Sequence, residues 1–476
     1  MNLQPAPRVG TRPAPLLLAV SALLLFLGIR DSMLLADSAA YGSTIASGHL
    51  IERSIHIGYY AVVWLLNRLL APTHVPLDHL MIASNAVFMG LALLLAWRLF
   101  ERLGATSAVA SVATLTLLMT GNVLQQGSGA EVYALQLMII LAAQNLFFDQ
   151  RYVAAGLVYG LAMLVSPLSI FACGPFLWQS VRIRDPRPLL KTAASSAVVY
   201  LPVLAYIWPE YLYGVRGLLT VGSKRVFGIP TLAYNALAIV QNFHWMVPFL
   251  LLGLLRPRSR EREWHWLVVI TVLVDLPLML CLKEQGVFIL PAYPFLALLA
   301  AGEVVRLLGQ VPLVRSRALW LSLGAACVLT SWFLWVEPQD PRPREGLAQF
   351  LATVPDGSAI VADWVYAPAV PFYFRLWGMK GTLPHIVELE YATQGQIEQA
   401  LHDYPNVYLI DGTQPPSRRS RLLRKTFLHS WQKSLSTVGL LHTVDPSIEM
   451  SLVVGNDAPL MIYRLSGKRP RGSHVP

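Results

Sequence analysis

Charge is what this chain lacks first. Only 13% of its 476 residues are Asp, Glu, Lys or Arg, well below the ~25% of an ordinary soluble domain. With 55% hydrophobic residues and a mean hydropathy of +0.51, that shortage excludes a water-soluble globule and leaves an α-helical polytopic membrane protein. Cysteine is scarce as well. Cys173, Cys281 and Cys327 lie in or beside apolar runs without paired spacing, which excludes a disulfide framework and a zinc cluster. No small-residue cleavage site follows the first apolar run, so Arg8, Arg12 and the run 15–29 read as a retained first span. The strand-like runs carry no G-x-G-x-x-G fingerprint, so no nucleotide site is expected. The net charge of +10 comes from short basic clusters between apolar runs, a pattern of loop topology and not of a nucleic-acid surface.

What is abundant is apolar sequence. A helix crossing ~30 Å of hydrocarbon takes roughly 20 apolar residues. Dividing the chain at its charged loops gives eleven candidate spans, near 14–30, 78–97, 106–121, 131–148, 153–166, 168–181, 190–208, 233–255, 264–282, 287–305 and 316–335. The fifth and sixth are short and meet at Ser166-Pro167, so they are either two crossings or one kinked element. Before the C-terminal region, alternate sides receive sixteen and seven Lys or Arg. Basic residues near span ends stay in the cytoplasm. The N-terminus is therefore expected in the cytoplasm of a cell with the chain in its inner membrane, and the loops after spans one and seven outside.

The composition changes near residue 338, after which 14 basic and 12 acidic residues follow. We assign 1–336 to a transmembrane module, 337–466 to a small soluble α/β domain on the extracytoplasmic side, and 467–476 to a disordered tail. SAIVADW, PHIVELE and NVYLIDG read as strands, GQIEQALHDY as a helix, and LHTVDPS, SLVVGND and LMIYRL as later strands. The basic run Ser417–Lys425 reads as a solvated helix face.

Polar residues near the bilayer surface are the candidates for chemistry. Asp37, in LLADSAAYG, is flanked by small and apolar residues. A carboxylate partly desolvated there is suited to take a proton from a hydroxyl, and the same residue suits the N-cap of a short interfacial helix. Asp31 directly follows Arg30, as in a local surface ion pair. His56 lies between two Ile residues and reads as a phosphate-binding or a satisfied structural group. Without a partner at ligand spacing it supports no metal, so no cofactor is assigned and a divalent metal is unsupported. Glu131 opens the fourth span, where a helix N-terminus favours a carboxylate, and falls on the same side as Asp37. In the 209–232 loop, Arg216, Lys224 and Arg225 suit either a lipid phosphate or anionic headgroups. Lys283, beside Glu284 in a short loop, belongs with these cations.

The stretch ADSAAYGSTIASGHLIERSIHIGYYAVVWLLNRLLAP resembles the first outer loop of the GT-C superfamily of multispanning glycosyltransferases, which use polyprenyl-phosphate sugars. It is most similar to a bacterial branch with D-S-G-E-F…A…G…H-P-P-G-Y-P…L-x-R-L in that loop and A-E-V-Y-A-L opening the fourth span. Asp37-Ser38, His56, Gly58-Tyr59, Arg68-Leu69 and the six residues Ala130 to Leu135 match in order, and FILPAYPFLALLAAG (Phe288–Gly302) resembles a late span. Two features depart from the pattern: Ala40 replaces the second acid, and H-P-P-G-Y-P has become His56-Ile57-Gly58-Tyr59-Tyr60. The resemblance implies an integral membrane glycosyltransferase with an extracytoplasmic site. It further implies a polyprenyl-phosphate sugar donor, a glycan, lipid or protein hydroxyl as acceptor, inversion at the anomeric carbon, and Asp37 as catalytic acid residue of the first outer loop. Two rivals are a transporter or flippase of lipid-linked glycans, for which Asp275 is the one deep acid, and a non-catalytic assembly or sensor protein with an outer partner-binding domain.

Overall fold

A backbone that crosses hydrocarbon must satisfy its own N–H and C=O groups, which is why the apolar runs of this chain are helices. The computed structural model describes residues 13–51, 54–212, 228–255, 262–282, 286–310, 324–325, 328–330, 332, 342–363, 365–389, 394–411, 448–454 and 460–466. In chain order the helices are α1 (Pro13–Gly28), α2 (Ala36–Ser47), α3 (Ile57–Leu69), α4 (Leu77–Arg102), α5 (Ser107–Leu118), α6 (Gly121–Ser128) and α7 (Val132–Phe148). Then come α8 (Tyr152–Val165), α9 (Gly174–Ile183), α10 (Arg187–Tyr206), α11 (Ile229–Phe243), α12 (Val247–Leu255), α13 (Arg262–Cys281) and α14 (Tyr293–Gly309). The chain divides into two compact units. Residues 1–30, 48–69 and 81–336 make the first; residues 31–47, 70–80 and 337–476 make the second.

Among the described residues of the first unit, Arg187–Tyr206, Ile229–Leu255, Arg262–Cys281 and Val287–Gly309 are long and apolar enough to cross a membrane, as is Leu77–Arg102, whose first turn lies in the second unit. Helices α5 and α6, bent by 65° at their junction, make a sixth crossing if taken together, while α1, α7 and α8 are shorter apolar helices. The last candidate span, 316–335, falls mostly outside the described residues. The segment 287–309 is central, with 94% of its apolar window buried; the window of α10 is only 17% buried. Leu190, Val198 and Leu201 of α10 are accordingly exposed, a face that only lipid covers at no hydrophobic cost.

The ends of these helices show the direction of the chain through the fifth and sixth candidate spans. Arg102 at the end of α4 grips Asp149 through Nε–Oδ1 (2.7 Å) and Nη2–Oδ2 (2.5 Å) contacts. Trp264, at the start of α13, donates its indole N–H to the Leu103 carbonyl at 2.9 Å. Arg182, near the end of α9, pairs with Glu263 at 2.9 Å. The C-terminal ends of α4, α7 and α9 and the start of α13 therefore share one end of the unit. Along α8, Tyr152 and Gly156 meet Thr192 and Ser195 of α10, and Gly160 meets Ser196 and Val199, so α8 and α10 run parallel. The chain goes out along α8, turns through the 3₁₀ segment Pro167–Cys173 and comes back along α9. The path turns back on itself, which excludes a single kinked crossing and is common to two crossings and a re-entrant element. The turn is where Pro167 removes a backbone donor.

The second unit adds α15 (Arg342–Thr353), β1 (Ser358–Ala362), α16 (Ala369–Leu376), β2 (His385–Glu388), α17 (Gln394–Asp403), β3 (Asn406–Asp411), β4 (Glu449–Val454) and β5 (Met461–Ser466). These strands form one sheet in the order β2-β1-β3-β5-β4, with β2, β1 and β3 parallel and β5 antiparallel to both β3 and β4. On one face Ala359, Val361 and Leu409 pack with Ile397 and Ala400 of α17. On the other, Phe350 of α15 meets Tyr408 edge-on. The expected strand LHTVDPS, at 441–447, lies outside the described residues, as do Ser417–Lys425 and the 467–476 tail.

Candidate functional site

The segment after the first span does not stay a loop. Residues 36–47 form α2, with Ala39, Ala40 and Ala46 favouring the helix, and it buries Ser38, Ala39, Ala40, Tyr41, Gly42, Thr44 and Ile45. Gly42 is on that buried face, and a Cβ there would strike the Phe372 ring of α16. Ala40, which replaces the second acid of the family pattern, is 4% exposed; a carboxylate would be desolvated in that place. Asp37 sits in the first turn, where the helix dipole favours an anion, and is exposed. The partial desolvation expected for it from its apolar neighbours is therefore absent, because those neighbours turn to the opposite face of α2.

Three backbone and side-chain clasps hold α2 in the second unit. The Ala36 amide donates to the Val365 carbonyl at 2.8 Å, with Ala36 at φ 50°, a left-handed conformation that costs an alanine about 1 kcal/mol. The Leu34 amide donates to the Tyr373 hydroxyl at 2.6 Å. Arg344 joins the flanking segments: it lies 2.9 Å from Asp78 Oδ2, 2.9 Å from His79 Nε2 and 3.3 Å from the Ser32 carbonyl. The contact to Oδ2 is an ion pair without hydrogen-bond alignment. Burial first, and then the Asp78 charge, raises the Tyr373 phenol above its ordinary value, with exposed Asp31 adding a smaller push. None of Arg344, Asp78, His79 or Tyr373 stood out in the sequence, because nothing local marks them.

His56 and Glu131 belong to the first unit. The His56 Nδ1–H donates to the Val165 carbonyl at 2.9 Å, and Gly58 packs so closely on the 164–165 backbone that an added Cβ would lie 2.8 Å from it. His56 thus has the satisfied structural role, tying the start of α3 to the end of α8. Glu131 is the N-cap of α7. Its carbonyl accepts from Asn85 Nδ2 at 2.5 Å, and Asn85 Oδ1 accepts from the Tyr59 hydroxyl at 3.4 Å. Burial and, next, the Glu131 charge hold the Tyr59 phenol well above its ordinary value. Glu131 and His56 therefore share the neighbourhood of Tyr59 and Tyr60. Arg216, Lys224, Arg225 and Lys283 lie outside the described residues. Among those described, no group of three or more His, Cys, Asp or Glu is arranged to hold a metal.

No family's sequence profile matches this chain, and no curated protein does. Solved structures do. ArnT from Cupriavidus metallidurans in the apo state matches at a TM-score of 0.59 and 12% identity, over 94% of this chain and 97% of that one. The structure of ArnT bound to undecaprenyl phosphate gives 0.58 and 12%, over 96% and 98%. The oligosaccharyltransferase AglB from Archaeoglobus fulgidus, solved with an inhibitory peptide and a dolichol-phosphate, gives 0.51 and 12%, over 83% and 69%. The chain has the polytopic helical fold of these membrane glycosyltransferases, as the GT-C resemblance implied.

Proposed function

We propose that this protein is a membrane glycosyltransferase that moves a sugar from a polyprenyl-phosphate donor to an acceptor hydroxyl on the extracytoplasmic side. What carries the reading is the place of Asp37: exposed, in the first turn of α2, in the segment that matches the family motif, within a fold shared with ArnT and AglB, which were solved holding undecaprenyl phosphate and dolichol-phosphate. An exposed carboxylate is open to a substrate hydroxyl. Asp37 takes the proton of that hydroxyl, the freed oxygen attacks the anomeric carbon, and the bond from that carbon to the phosphate oxygen breaks on the opposite face, inverting the configuration. The lipid phosphate leaves with the bonding pair. Arg216, Lys224, Arg225 and Lys283 are the cations assigned to it, since guanidinium and ammonium groups offset the charge that develops there. Within the first unit Glu131 and His56 order the Tyr59 neighbourhood, and within the second Asp31 lies on the segment that carries α2; these are the supporting residues of the reading.

A general base contributes on the order of 10²- to 10⁴-fold. Membranes containing this protein should consume a radiolabelled polyprenyl-phosphate sugar, and Asp37→Asn should lower that rate by roughly that factor with expression unchanged. A mutant rate equal to wild type removes Asp37 from the reaction. No consumption by the wild type, with a range of sugars on the lipid, sinks the transferase reading and leaves the transporter and assembly readings.

A further inference from the structure

Helix α3 is accounted for neither by the eleven spans nor by the transfer reaction. It has 13 residues, IGYYAVVWLLNRL. That is about 20 Å of helix, too short for the ~30 Å of hydrocarbon in a bilayer. Yet it is apolar on both sides. Tyr59, Tyr60 and Val63 make its buried face; Ala61, Leu65 and Leu69 turn the other way and are exposed, Leu65 by 52% and Leu69 by 66%. A helix that is apolar all round belongs in a protein core or in lipid, and this one has a core on one side only.

The neighbours of its first turn fix its depth. His56 bonds to the Val165 carbonyl at the end of α8, and Gly58 rests on the 164–165 backbone. The Tyr59 hydroxyl donates to Asn85 Oδ1, and Asn85 Nδ2 donates to the Glu131 carbonyl at the start of α7. Helix α3 therefore begins level with the start of α7 and the end of α8, at the end of the first unit opposite the Arg102–Asp149 pair. From there it does not run down α8. Leu157 and Leu161 share a face with Leu164 at helical spacing, and a helix laid along that face would cover them; both are exposed. Past Val63 every residue of α3 is half-buried or exposed, so the helix leaves the bundle at the level where the apolar helices end.

Water, a second copy of the chain or lipid could cover the outward face, and the residues choose between them. Water would hydrate two leucines that a neighbouring apolar phase can take up. A second copy docked on Ala61, Leu65 and Leu69 would bury far less than the ~800 Å² per partner of a stable interface. Lipid needs no such area, and the last turn carries a pair suited to the surface of a bilayer: the Arg68 guanidinium lies 5.4 Å over the Trp64 ring, a charged head on an apolar stem beside an amphipathic indole. We propose that α3 is an interfacial helix that docks on phospholipid, with Ala61, Leu65 and Leu69 among the acyl chains of the leaflet at this end and Arg68 at the level of the headgroups. The proposal rests on the membrane fold and not on sugar transfer.

The test is depth. The full chain, with Cys173, Cys281 and Cys327 replaced by Ala, is placed in vesicles of phosphatidylcholine and phosphatidylglycerol with lipid in large excess. A nitroxide is attached at Ala61→Cys, Leu65→Cys, Arg68→Cys or Leu69→Cys, all exposed positions whose replacement leaves the buried face of α3 intact. Val198→Cys, on the exposed face of α10, is the lipid control, and exposed Arg151→Cys is the water control. Oxygen concentrates in hydrocarbon and a nickel chelate stays in water. The labels at 61, 65 and 69 should be relaxed more by oxygen than by the chelate, as at 198 and opposite to 151, and the label at 68 should favour the chelate more than its neighbours do. Three positions report on the face, so a variant that fails to express leaves two. Labels at 65 and 69 that respond as 151 does put the face in water and overturn the proposal. So does dipolar broadening at these positions that disappears when labelled chains are diluted with unlabelled ones, since a second copy then covers the face. Whether the wild type consumes a polyprenyl-phosphate sugar bears on neither result, and the transfer reading stands or falls separately.

Discussion

Arg344 is the residue on which the placement of α2 within the second unit most depends. Asp78 is 1% exposed and Arg344 27% exposed, so removing the arginine strands a carboxylate away from water. Breaking such a pair by deleting one partner costs roughly 3 kcal/mol, more than the pair contributes relative to an apolar substitute. Arg344→Ala is therefore expected to lower the melting temperature of the detergent-purified protein by several degrees, and adding Asp78→Asn to recover part of the loss. Equal melting of Arg344→Ala and wild type would show the clasp to be idle. The sequence hides this residue for a plain reason: its partners His79 and Ser32 are 265 and 312 positions away, and R-P-R-E-G carries no local sign of them. Asp37 was legible because its motif is local. Its exposure was not, since that depends on which face of α2 meets α16, and a dozen residues rich in Ala, Ser and Gly have little amphipathic pattern from which to read a face.

Helix-scale features follow the same division. Apolar runs announce themselves, and the long helices α4, α10, α13 and α14 lie where hydropathy puts them. The bend between α5 and α6 and the existence of α3 have no signature in the sequence, because a break in a helix answers to its neighbours and a 13-residue helix is too short for the span criterion. The packing of α8 on α10 shows what a spacing rule can add. Gly156 and Gly160 are four apart and face Thr192, Ser195 and Ser196, small residues on both sides that let the two backbones approach, as in other membrane helix pairs. A Cβ on Gly160 would lie 2.8 Å from the Ser196 carbonyl oxygen, and one on Gly156 would collide with Ser195 and the Thr192 carbonyl. Backbone cannot yield as a side-chain tip does. Gly156→Ala should thus destabilise the protein by about 1–3 kcal/mol, whereas Gly309→Ala, with nothing within 4 Å, should melt like wild type. The two melting curves, measured side by side, decide it.

At the scale of the whole molecule, the charge count and the helix contacts address the same question from different ends. The count of Lys and Arg assumes that the chain crosses twice between residues 152 and 183, and a single kinked crossing there would reverse every later loop. The contacts of Arg102 with Asp149, Arg182 with Glu263 and Trp264 with Leu103 bring the ends of α7 and α9 to one end of the first unit, which only an out-and-back path achieves. Position 151, before α8, and position 187, opening α10, then face the same compartment, and position 210, past the far end of α10, faces the other. All three are exposed. In a chain with Cys173, Cys281 and Cys327 replaced by Ala, single cysteines at Arg151→Cys, Arg187→Cys and Glu210→Cys report this directly. An impermeant maleimide applied to intact spheroplasts should label only the Glu210→Cys protein, and applied to inverted membranes only the other two, because the sixteen basic residues of the richer side hold that side in the cytoplasm. Opposite labelling of Arg151→Cys and Arg187→Cys would mean that the α8 to α9 segment crosses once. The second unit, whose residues from 337 onward follow an odd number of crossings in the eleven-span path, would then face the cytoplasm, on the wrong side for the transfer proposed above.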